Sequence, residues 1–390
     1  MRRVYMDYQA GSPVDPRVIQ AMTPYFGTAY GNPSSTHGYG QEARAAVDEA
    51  RTKVASLIGA QKKEEMVFTS GGTESNNLAL IGIAQRNREK GDTIVTSTIE
   101  HISIINACKH LSKQGFKVEH VPVDNYGLVD PTTFEKSIPD RTFLVSIMYA
   151  NGEIGTLQPI AEIGRIAHDH GALLHVDAVA AAGKVPIDVR RENIDALSLS
   201  SNDLYGPKGA GALYVKDGVR IAPIMMGGGQ EKGLRSGTEN VPGIVGMGRA
   251  AEISREEMPD ESARLARLRD RLREGIEGIP HSYVNGHPTA RLPNNLNVRF
   301  SYIEGESLVL SLDMEGIAVS SGSACSSKTL EPSHVLRGIG LPHEQAHGSL
   351  LFSLGRWNTN EDAEQVLNVL PGIVTRLRRM SPLTPKEFQV

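Results

Sequence analysis

Short apolar segments alternate with amphipathic helical patterns along the first two thirds of the chain. Several of these segments are continuous apolar runs, which is typical of strands buried on both faces of a mainly parallel sheet. The strands predicted in this way are 66–69, 93–96, 117–123, 143–149, 172–176, 196–200 and 212–215. Helical patterns such as 41–58 and 159–170 lie between them. The sequence therefore predicts an α/β fold with right-handed crossover connections.

The pattern changes near residue 255, where a long charged helical stretch, 256–279, begins. After it the sequence predicts strands at 296–300, 317–320 and 350–354, and helices at 305–314 and 361–379, with Pro371 expected to bend the last helix. We interpret this part as a smaller α+β domain. The predicted division is a large domain of residues 16–254 and a small domain of residues 1–15 and 255–390.

Composition narrows the class of protein. The 390 residues carry 41 lysines and arginines against 45 aspartates and glutamates, a net charge of −4, so the chain lacks the basic field of a nucleic-acid-binding protein. No stretch approaches the roughly 18 apolar residues of a membrane span. The two arginines near the start have no apolar run behind them, which argues against a signal peptide. We expect a soluble, cytoplasmic protein.

Two cysteines, Cys108 and Cys325, exclude a disulfide framework. Cys108 has helical, apolar neighbours and is predicted to be a core residue. Cys325 lies in the polar stretch SSGSACSSKTLEPSH, which favours a reactive or ligating thiol over a packed one. The chain has no CxxC, HExxH or Walker lysine motif that would indicate another chemistry.

Several polar segments follow predicted strands. The segment SGGTESNN, 70–77, could bind phosphate at a helix N-terminus, or could be an ordinary glycine turn capped by threonine. Asp177 ends a buried strand, where a carboxylate can pair with a cationic ring nitrogen or cap a helix. His101 is either a hydrogen-bonded loop residue or a ring that stacks on a planar ligand. Arg356 follows a strand and could bind a carboxylate with two hydrogen bonds.

Ten segments in the same order resemble the cysteine desulfurases of the NifS/IscS type. They run from MDYQAGSPVDPRV and GNPSSTHGYG through FTSGGTESNN, IMYANGEIGTLQPI, HVDA, LYGPKGAGALYV, GGGQEKGLRSGTEN and EGESLVLSL to SSGSACSSKTLEPSHVLRGIG and FSLGRW. These enzymes are class V aminotransferase relatives with the fold-type I architecture of pyridoxal-phosphate (PLP) transferases. The resemblance implies a large domain with a mainly parallel sheet sandwiched by helices, and a smaller C-terminal α+β domain.

The resemblance also implies a cofactor site. Gly72, Thr73 and Ser200 would hold the phosphate of PLP, and His101 would stack on its pyridine ring. Thr238 would reach the phosphate from the partner subunit, which implies a homodimer with shared sites.

The remaining implied roles concern charge and sulfur. Asp177 would pair with the pyridinium nitrogen and sustain the electron sink. Arg356 and Asn151 would contact the substrate, L-cysteine. The thiol of Cys325 would take the sulfur atom of this L-cysteine, which gives a Cys325 persulfide and L-alanine. The SSGSAC pattern resembles the group that hands sulfur to an iron–sulfur scaffold protein of the IscU type.

One departure from the family changes the expected chemistry. Where the family has SxHKxYGPKG, this chain places Asp203 at the Schiff-base lysine. A carboxylate cannot bond to the cofactor aldehyde, and a usual aspartate pKa of about 3.9 makes it a poor base for a Cα proton. Lys208 does not replace the lost residue, because the family carries that lysine in addition. Three nearby positions, Asn202, Gly152 and Ala180, also differ from the family's histidine, asparagine and glutamine.

The sequence therefore leaves two main readings. In the first, PLP catalysis is lost or weak, and Cys325 presents sulfur or ligates a [2Fe–2S] cluster on the scaffold partner. In the second, the protein is an active desulfurase that binds PLP without a covalent bond, with Asp203 or a nearby group moving protons. An aminotransferase or a selenocysteine lyase on the same fold is the alternative from another class, although transamination needs no thiol such as Cys325.

Overall fold

The computed structural model describes residues 2–321 and 332–386 of the chain. Its strands are β1 (Val4–Tyr5), β2 (Met66–Thr69), β3 (Thr93–Ser97), β4 (Lys117–Val121), β5 (Thr142–Met148), β6 (Leu173–Asp177), β7 (Ala196–Ser200), β8 (Gly211–Val215), β9 (Ser282–Asn285), β10 (Asn295–Phe300), β11 (Ile317–Ala318) and β12 (Ser349–Ser353). Its helices are α1 (Pro16–Met22), α2 (Gly38–Leu57), α3 (Gly72–Asn87), α4 (Ile102–Lys113), α5 (Pro131–Ser137), α6 (Ile160–Asp169), α7 (Val241–Glu277), α8 (Gly305–Met314), α9 (His334–Gly338), α10 (His343–His347) and α11 (Asn360–Met380).

A seven-stranded sheet with the order β2-β8-β7-β6-β5-β3-β4 forms the centre of the molecule. The pairs from β7 to β4 are parallel, while β8 is antiparallel to both of its neighbours. Every strand except β8 therefore runs in the same direction, and their carboxyl ends meet at one edge. This arrangement confirms the predicted α/β architecture with a mainly parallel sheet, and this edge is where open α/β sheets bind ligands.

Helices cover both faces of this sheet. Buried side chains of α3 and α4 form the core on one face, and those of α2, α6 and the first part of α7 form the core on the other. Strands β3 and β5 are buried throughout, as their continuous apolar runs predict. Strand β4 differs because it lies at the edge of the sheet, where Lys117, Glu119 and His120 are exposed.

Helix α7 links the two core regions. It runs for 37 residues, whereas the sequence predicted only its part from 256 onward. The earlier part was missed because it contains several glycines, which lower helix propensity. Packing explains one of them: a Cβ on Gly248 would lie 2.5 Å from the Cα of Ala50, so α2 and α7 can approach this closely only with glycine there.

The second core lies in the carboxyl-terminal part of the chain. Strand β10 pairs with β9 and β12, and β1 pairs in parallel with β11. Side chains of α7 beyond Leu265 pack here together with α8 and α11. Side chains of α7 up to Ile253 therefore pack in the first core and those from Leu265 onward in the second, and the predicted domain boundary at 254/255 lies between them. Among the described residues, no helix combines the length and the apolar character that a membrane crossing needs.

Candidate active site

The carboxyl edge of the central sheet brings most of the predicted site residues together. Strand β6 ends at Asp177 and β7 ends at Ser200, directly before the short turn that contains Asp203. Strand β3 leads to His101, which precedes α4, and β5 leads to Asn151. The same edge therefore collects side chains from four neighbouring strands, as their positions at strand ends predicted.

The start of α3 forms a cradle for an anion beside this edge. Gly71 has a φ of 152°, a backbone conformation that favours glycine, and α3 begins at Gly72. A Cβ on Gly72 would lie 2.6 Å from Cγ2 of Val179, so only glycine lets this helix start approach the turn after Asp177. The first N–H groups of a helix have no acceptor within it, and they favour a negative group. Thr73 is exposed in this first turn, where its hydroxyl is accessible.

Glu74 occupies the side of this cradle. Its carboxylate accepts hydrogen bonds from the backbone N–H of Ser70 at 2.7 Å and from Nε of Arg235 at 2.9 Å. Burial opposes the charge, but these hydrogen bonds lower the pKa of Glu74 overall. The guanidinium of Arg235 is thus paired within the chain. Thr238 lies exposed nearby in sequence, and its contact with a partner's cofactor stays a prediction.

A chain of hydrogen bonds joins His101 to Asp177. Nδ1 of His101 accepts the backbone N–H of Ser103 at 3.2 Å and lies 2.7 Å from its Oγ. Nδ2 of Asn76 donates to Oγ of Ser103 at 2.9 Å and to Oδ2 of Asp177 at 2.7 Å. Because Nδ1 accepts, we assign the ring proton of His101 to Nε2. Sequence reasoning missed Asn76 and Ser103 as members of this chain, although both lie inside the segments that it singled out.

Hydrogen bonds to both of its oxygens hold Asp177 in place. It is 5% exposed, and its other oxygen, Oδ1, accepts the N–H of Val179 at 3.0 Å. Behind it in β6, His175 bridges the hydroxyls of Ser146 and Ser198 in the neighbouring strands. Burial lowers the pKa of His175 to about 3, so this imidazole is neutral and supports the sheet.

Asp203 is buried at the turn after β7, at 7% exposure. Burial raises its pKa, whereas the neighbouring Lys184 and hydrogen bonds from Ser200 and Asn202 lower it in part. Nζ of Lys184 lies 4.0 Å from Oδ1 of Asp203. Lys208 is exposed and donates to the backbone oxygen of Ser12 at 3.0 Å, so its ammonium is engaged in that contact.

The loop after β5 is shaped by Asn151. This side chain is 2% exposed, accepts the N–H groups of Glu153 and Ile154 at 2.9 Å, and donates to the oxygen of Ile99 at 3.0 Å. A Cβ on Gly152 would lie 2.6 Å from Nε2 of Gln9, so the Gln9 side chain fills the space beside this glycine. The amide of Asn151 already forms these three hydrogen bonds within the chain. Its contact with the substrate stays a prediction.

Arg356 lies in an acidic environment. Its NH1 contacts Oδ2 of Asp15 at 2.6 Å, and its Nε and NH2 contact Oε2 of Glu261 at 2.9 and 2.7 Å. Its guanidinium also lies over the ring of Tyr205, 4.6 Å from the ring centroid. Contact with a substrate carboxylate, which stays a prediction, therefore requires Arg356 to exchange at least one of these partners. Neither Asp15 nor Glu261 was predicted, because each looks like an ordinary helix-end or surface charge in the sequence.

Of the two cysteines, the structure describes Cys108, which is buried in the core. It is 1% exposed, and burial raises the pKa of its thiol to about 12, which confirms its prediction as a core residue. Cys325 and its proposed roles lie outside the described residues. The chain enters that segment from Ser320, which pairs with Leu351, and leaves it at Ser333, whose hydroxyl donates to Glu153 at 2.8 Å. Within the described ranges, no group of three potential metal ligands is present.

Comparison with known proteins identifies relatives along almost the whole chain. Residues 4–366 match the family model described as aminotransferase class-V. The chain is 59% identical to cysteine desulfurase IscS 1 of Archaeoglobus fulgidus, over 97% of this chain and 99% of that relative. It is similar to a solved NifS-like protein, with a TM-score of 0.91 and 40% identity over 96% of this chain and all of that one. It is also similar to the solved protein SspA in complex with cysteine, with a TM-score of 0.81 and 37% identity over 91% of this chain and 100% of that one.

Proposed function

Because the chain belongs to the class-V aminotransferase family and has IscS-type cysteine desulfurases among its relatives, we propose that it acts in cytoplasmic sulfur transfer with a cofactor that is not covalently bound. The family cofactor is PLP. The observation that carries the proposal is the buried Asp203 at the place where the family has its lysine. The substrate proposed is L-cysteine, the compound bound by the similar SspA protein.

The described residues fit PLP at both of its ends. The cradle at Gly72 and the hydroxyl of Ser200 suit a phosphate, and the buried Asp177 suits a protonated ring nitrogen. Asn76, which is 1% exposed, has an Oδ1 without a hydrogen-bond partner among the described residues, so a polar group can still be added here. When bound, PLP supplies an electron sink for reactions at the substrate Cα.

The chain lacks the group that moves protons fastest in this family. Asp203 has no amine, and burial makes its ionised form costly. His101, with its proton assigned to Nε2, is the exposed group of the hydrogen-bonded chain that can approach a ligand ring. Turnover of cysteine to alanine is therefore slow, and what remains depends on binding and orientation rather than on a lysine base.

Cys325 is the proposed sulfur carrier. In the family reaction its thiol and L-cysteine give L-alanine and a Cys325 persulfide, so no further oxidant is needed. The chain that follows the segment bearing it is attached near the carboxyl edge of the central sheet: Nε2 of His334 lies 2.9 Å from the backbone oxygen of Glu100, next to His101. We propose that Cys325 presents sulfur to an IscU-type scaffold, or ligates a [2Fe–2S] cluster on it as thiolate ligands do.

A homodimer is the proposed assembly. The exposed rings of Phe26, Tyr30 and Tyr39 lie near the start of α2, with Tyr30 stacked on Tyr39 at 5.6 Å. A cavity beside α2 is lined both by Pro33 and Ser34 and by the segment 228–232, which precedes Thr238. A second copy that covers this region would bring its Thr238 near the other site. Light scattering that gives the mass of a single chain at micromolar concentration would contradict this proposal.

Turnover with added PLP tests the lysine-free site. Wild type, Asp203→Asn and Asp203→Lys are incubated with PLP and L-cysteine, and alanine and sulfide are measured. Slow or absent turnover is expected in the first two and clear turnover in the third. Measurable turnover at equal rates in wild type and Asp203→Lys would refute the role of Asp203. Absence of turnover in all three would place the defect also at Asn202, Gly152 and Ala180.

The role of Cys325 is tested by replacement of each cysteine. Cys325→Ser should stop sulfur or cluster delivery to an IscU-type scaffold, while PLP binding stays unchanged. Cys108→Ser is the matched control, because Cys108 is 1% exposed and not available to a partner. Cluster assembly that is unchanged by Cys325→Ser would contradict the proposal.

A further inference from the structure

Asp203 and Lys184 form an ion pair inside the predicted cofactor region. The two atoms Nζ and Oδ1 are 4.0 Å apart, and the side chains are only 13% and 6% exposed. Lys184 follows the turn that begins after Asp177, and its Nζ also donates to the oxygen of Ala180 at 3.2 Å. The pair therefore connects the turn after β6 with the turn after β7, and each of these strands ends in a residue predicted to bind the cofactor, Asp177 or Ser200.

The other charges around this pair are negative. Asp203 also faces Asp177, and Lys184 also faces Glu261. Glu261 is already engaged by the hydroxyl of Tyr205 at 2.8 Å and by Arg356. The ammonium of Lys184 thus compensates the negative charge of Asp203, which is buried beside a second carboxylate, Asp177.

We propose that Lys184 is a positioning residue of this site, whose ammonium keeps Asp203 as a carboxylate and thereby fixes the charge next to the cofactor. The proposal rests on the proposed non-covalent binding of PLP. A charged Asp203 forms a pair of zero net charge with Lys184, whose ammonium lies 4.0 Å away. A bound cofactor then meets a pair without net charge at this position, instead of an isolated carboxylate.

Removal of Lys184 should make Asp203 titrate. Burial and the nearby Asp177 raise the pKa of Asp203, so without its partner the carboxyl changes charge closer to neutral pH. The PLP affinity of Lys184→Met should therefore fall, relative to that of wild type, as pH rises. A purely structural role of Lys184 would weaken binding equally at every pH.

The first test measures the PLP dissociation constant by absorbance titration between pH 6 and 9. The quantity compared is the ratio of each variant to wild type, because PLP itself titrates in this range. In Lys184→Met this ratio should rise severalfold with pH, and Lys184→Met/Asp203→Asn and the charge-conserving Lys184→Arg should show a flat ratio. A ratio for Lys184→Met that is flat, or that keeps its slope in the double variant, would overturn the proposal.

The second test uses the protein without PLP, so that it separates the ion pair from cofactor binding. Lys184→Met should lower the urea midpoint increasingly as pH rises, and the added Asp203→Asn should recover part of the loss. If Lys184→Met does not fold, Asp203→Asn makes the reverse test. Its buried, unpaired Lys184 should make stability fall as pH decreases. Strictly additive effects at all pH values would refute the pair, whereas absence of PLP binding in every variant would refute only the proposed cofactor function.

Discussion

Glu100 gives the sharpest prediction about stability and pH. Its side chain is fully buried beside the site, and Oε1 accepts from Oγ of Ser97 at 2.6 Å and from the N–H of Met148 at 3.0 Å. Oε2 has no hydrogen-bond partner among the described residues. Burial raises the pKa of Glu100 to about 8, above the usual value of 4.5. The folded protein therefore keeps a proton on Glu100 at pH values where the unfolded chain has lost it.

The sign of the effect follows from proton binding. Between about pH 4.5 and pH 8 the unfolded state binds fewer protons than the folded state, so stability falls as pH rises. A pKa raised from 4.5 to about 8, at about 1.36 kcal/mol for each pH unit between the two values, corresponds to a loss of about 4–5 kcal/mol by pH 8. Glu100→Gln removes this titration and keeps an oxygen that accepts from Ser97 and Met148. Its stability advantage over wild type should grow by about 3–4 kcal/mol from pH 5 to pH 8.

The assay is equilibrium urea unfolding of wild type and Glu100→Gln at half-unit steps of pH. Glu89→Gln serves as the matched control, because Glu89 is exposed and its carboxylate is solvated in both states. The difference between Glu89→Gln and wild type should stay nearly constant. A difference between Glu100→Gln and wild type that is equally constant would refute the reasoning, since it would mean that Glu100 is ionised in the folded protein.

Three further variants test local geometry. Gly72→Ala places a Cβ 2.6 Å from Cγ2 of Val179, so it should cost about 1–3 kcal/mol in urea unfolding and weaken PLP binding in absorbance titrations. Gly152→Asn meets only the flexible end of Gln9, so it should cost less than about 1 kcal/mol, and a larger loss would show that Gln9 cannot move. Arg356→Ala removes the cation between Asp15 and Glu261, although Asp15 keeps its ion pair with Arg17 and Glu261 keeps the hydroxyl of Tyr205, so it should destabilise the protein by about 1–3 kcal/mol. Arg356→Lys should cost less, and equal losses in urea unfolding would contradict the charge argument.

The fold was largely predictable because its strands are buried on both faces and its helices carry one apolar stripe. The ends of helix α8 agree with the prediction, and β2 and β7 agree at both ends. The first part of α7 was not predictable, because it contains several glycines, and at Gly248 the glycine is required by the close approach to Ala50, a contact between distant parts of the chain. Local propensity contains no information about such a contact.

The site was predictable where a residue ends a strand, and less so where its partners come from elsewhere. Asp177 follows from its position in β6, whereas its contact with Asn76 depends on how α3 packs against the sheet. The pairing of Arg356 with Asp15 joins residues 341 positions apart, and nothing in either local sequence indicates it. The same holds for Lys184, whose significance appears only when the turn after β7 is placed beside it.

The central claim is that the cofactor is held without a covalent link at Asp203. The most direct measurement is the absorbance spectrum of wild type and Asp203→Lys after incubation with PLP, gel filtration and borohydride reduction, with mass spectrometry of the protein. In wild type, PLP should be lost on gel filtration and the mass should be that of the unmodified chain, while Asp203→Lys should keep one reduced PLP. A wild-type protein that keeps PLP through gel filtration and gains its mass on reduction would contradict the claim.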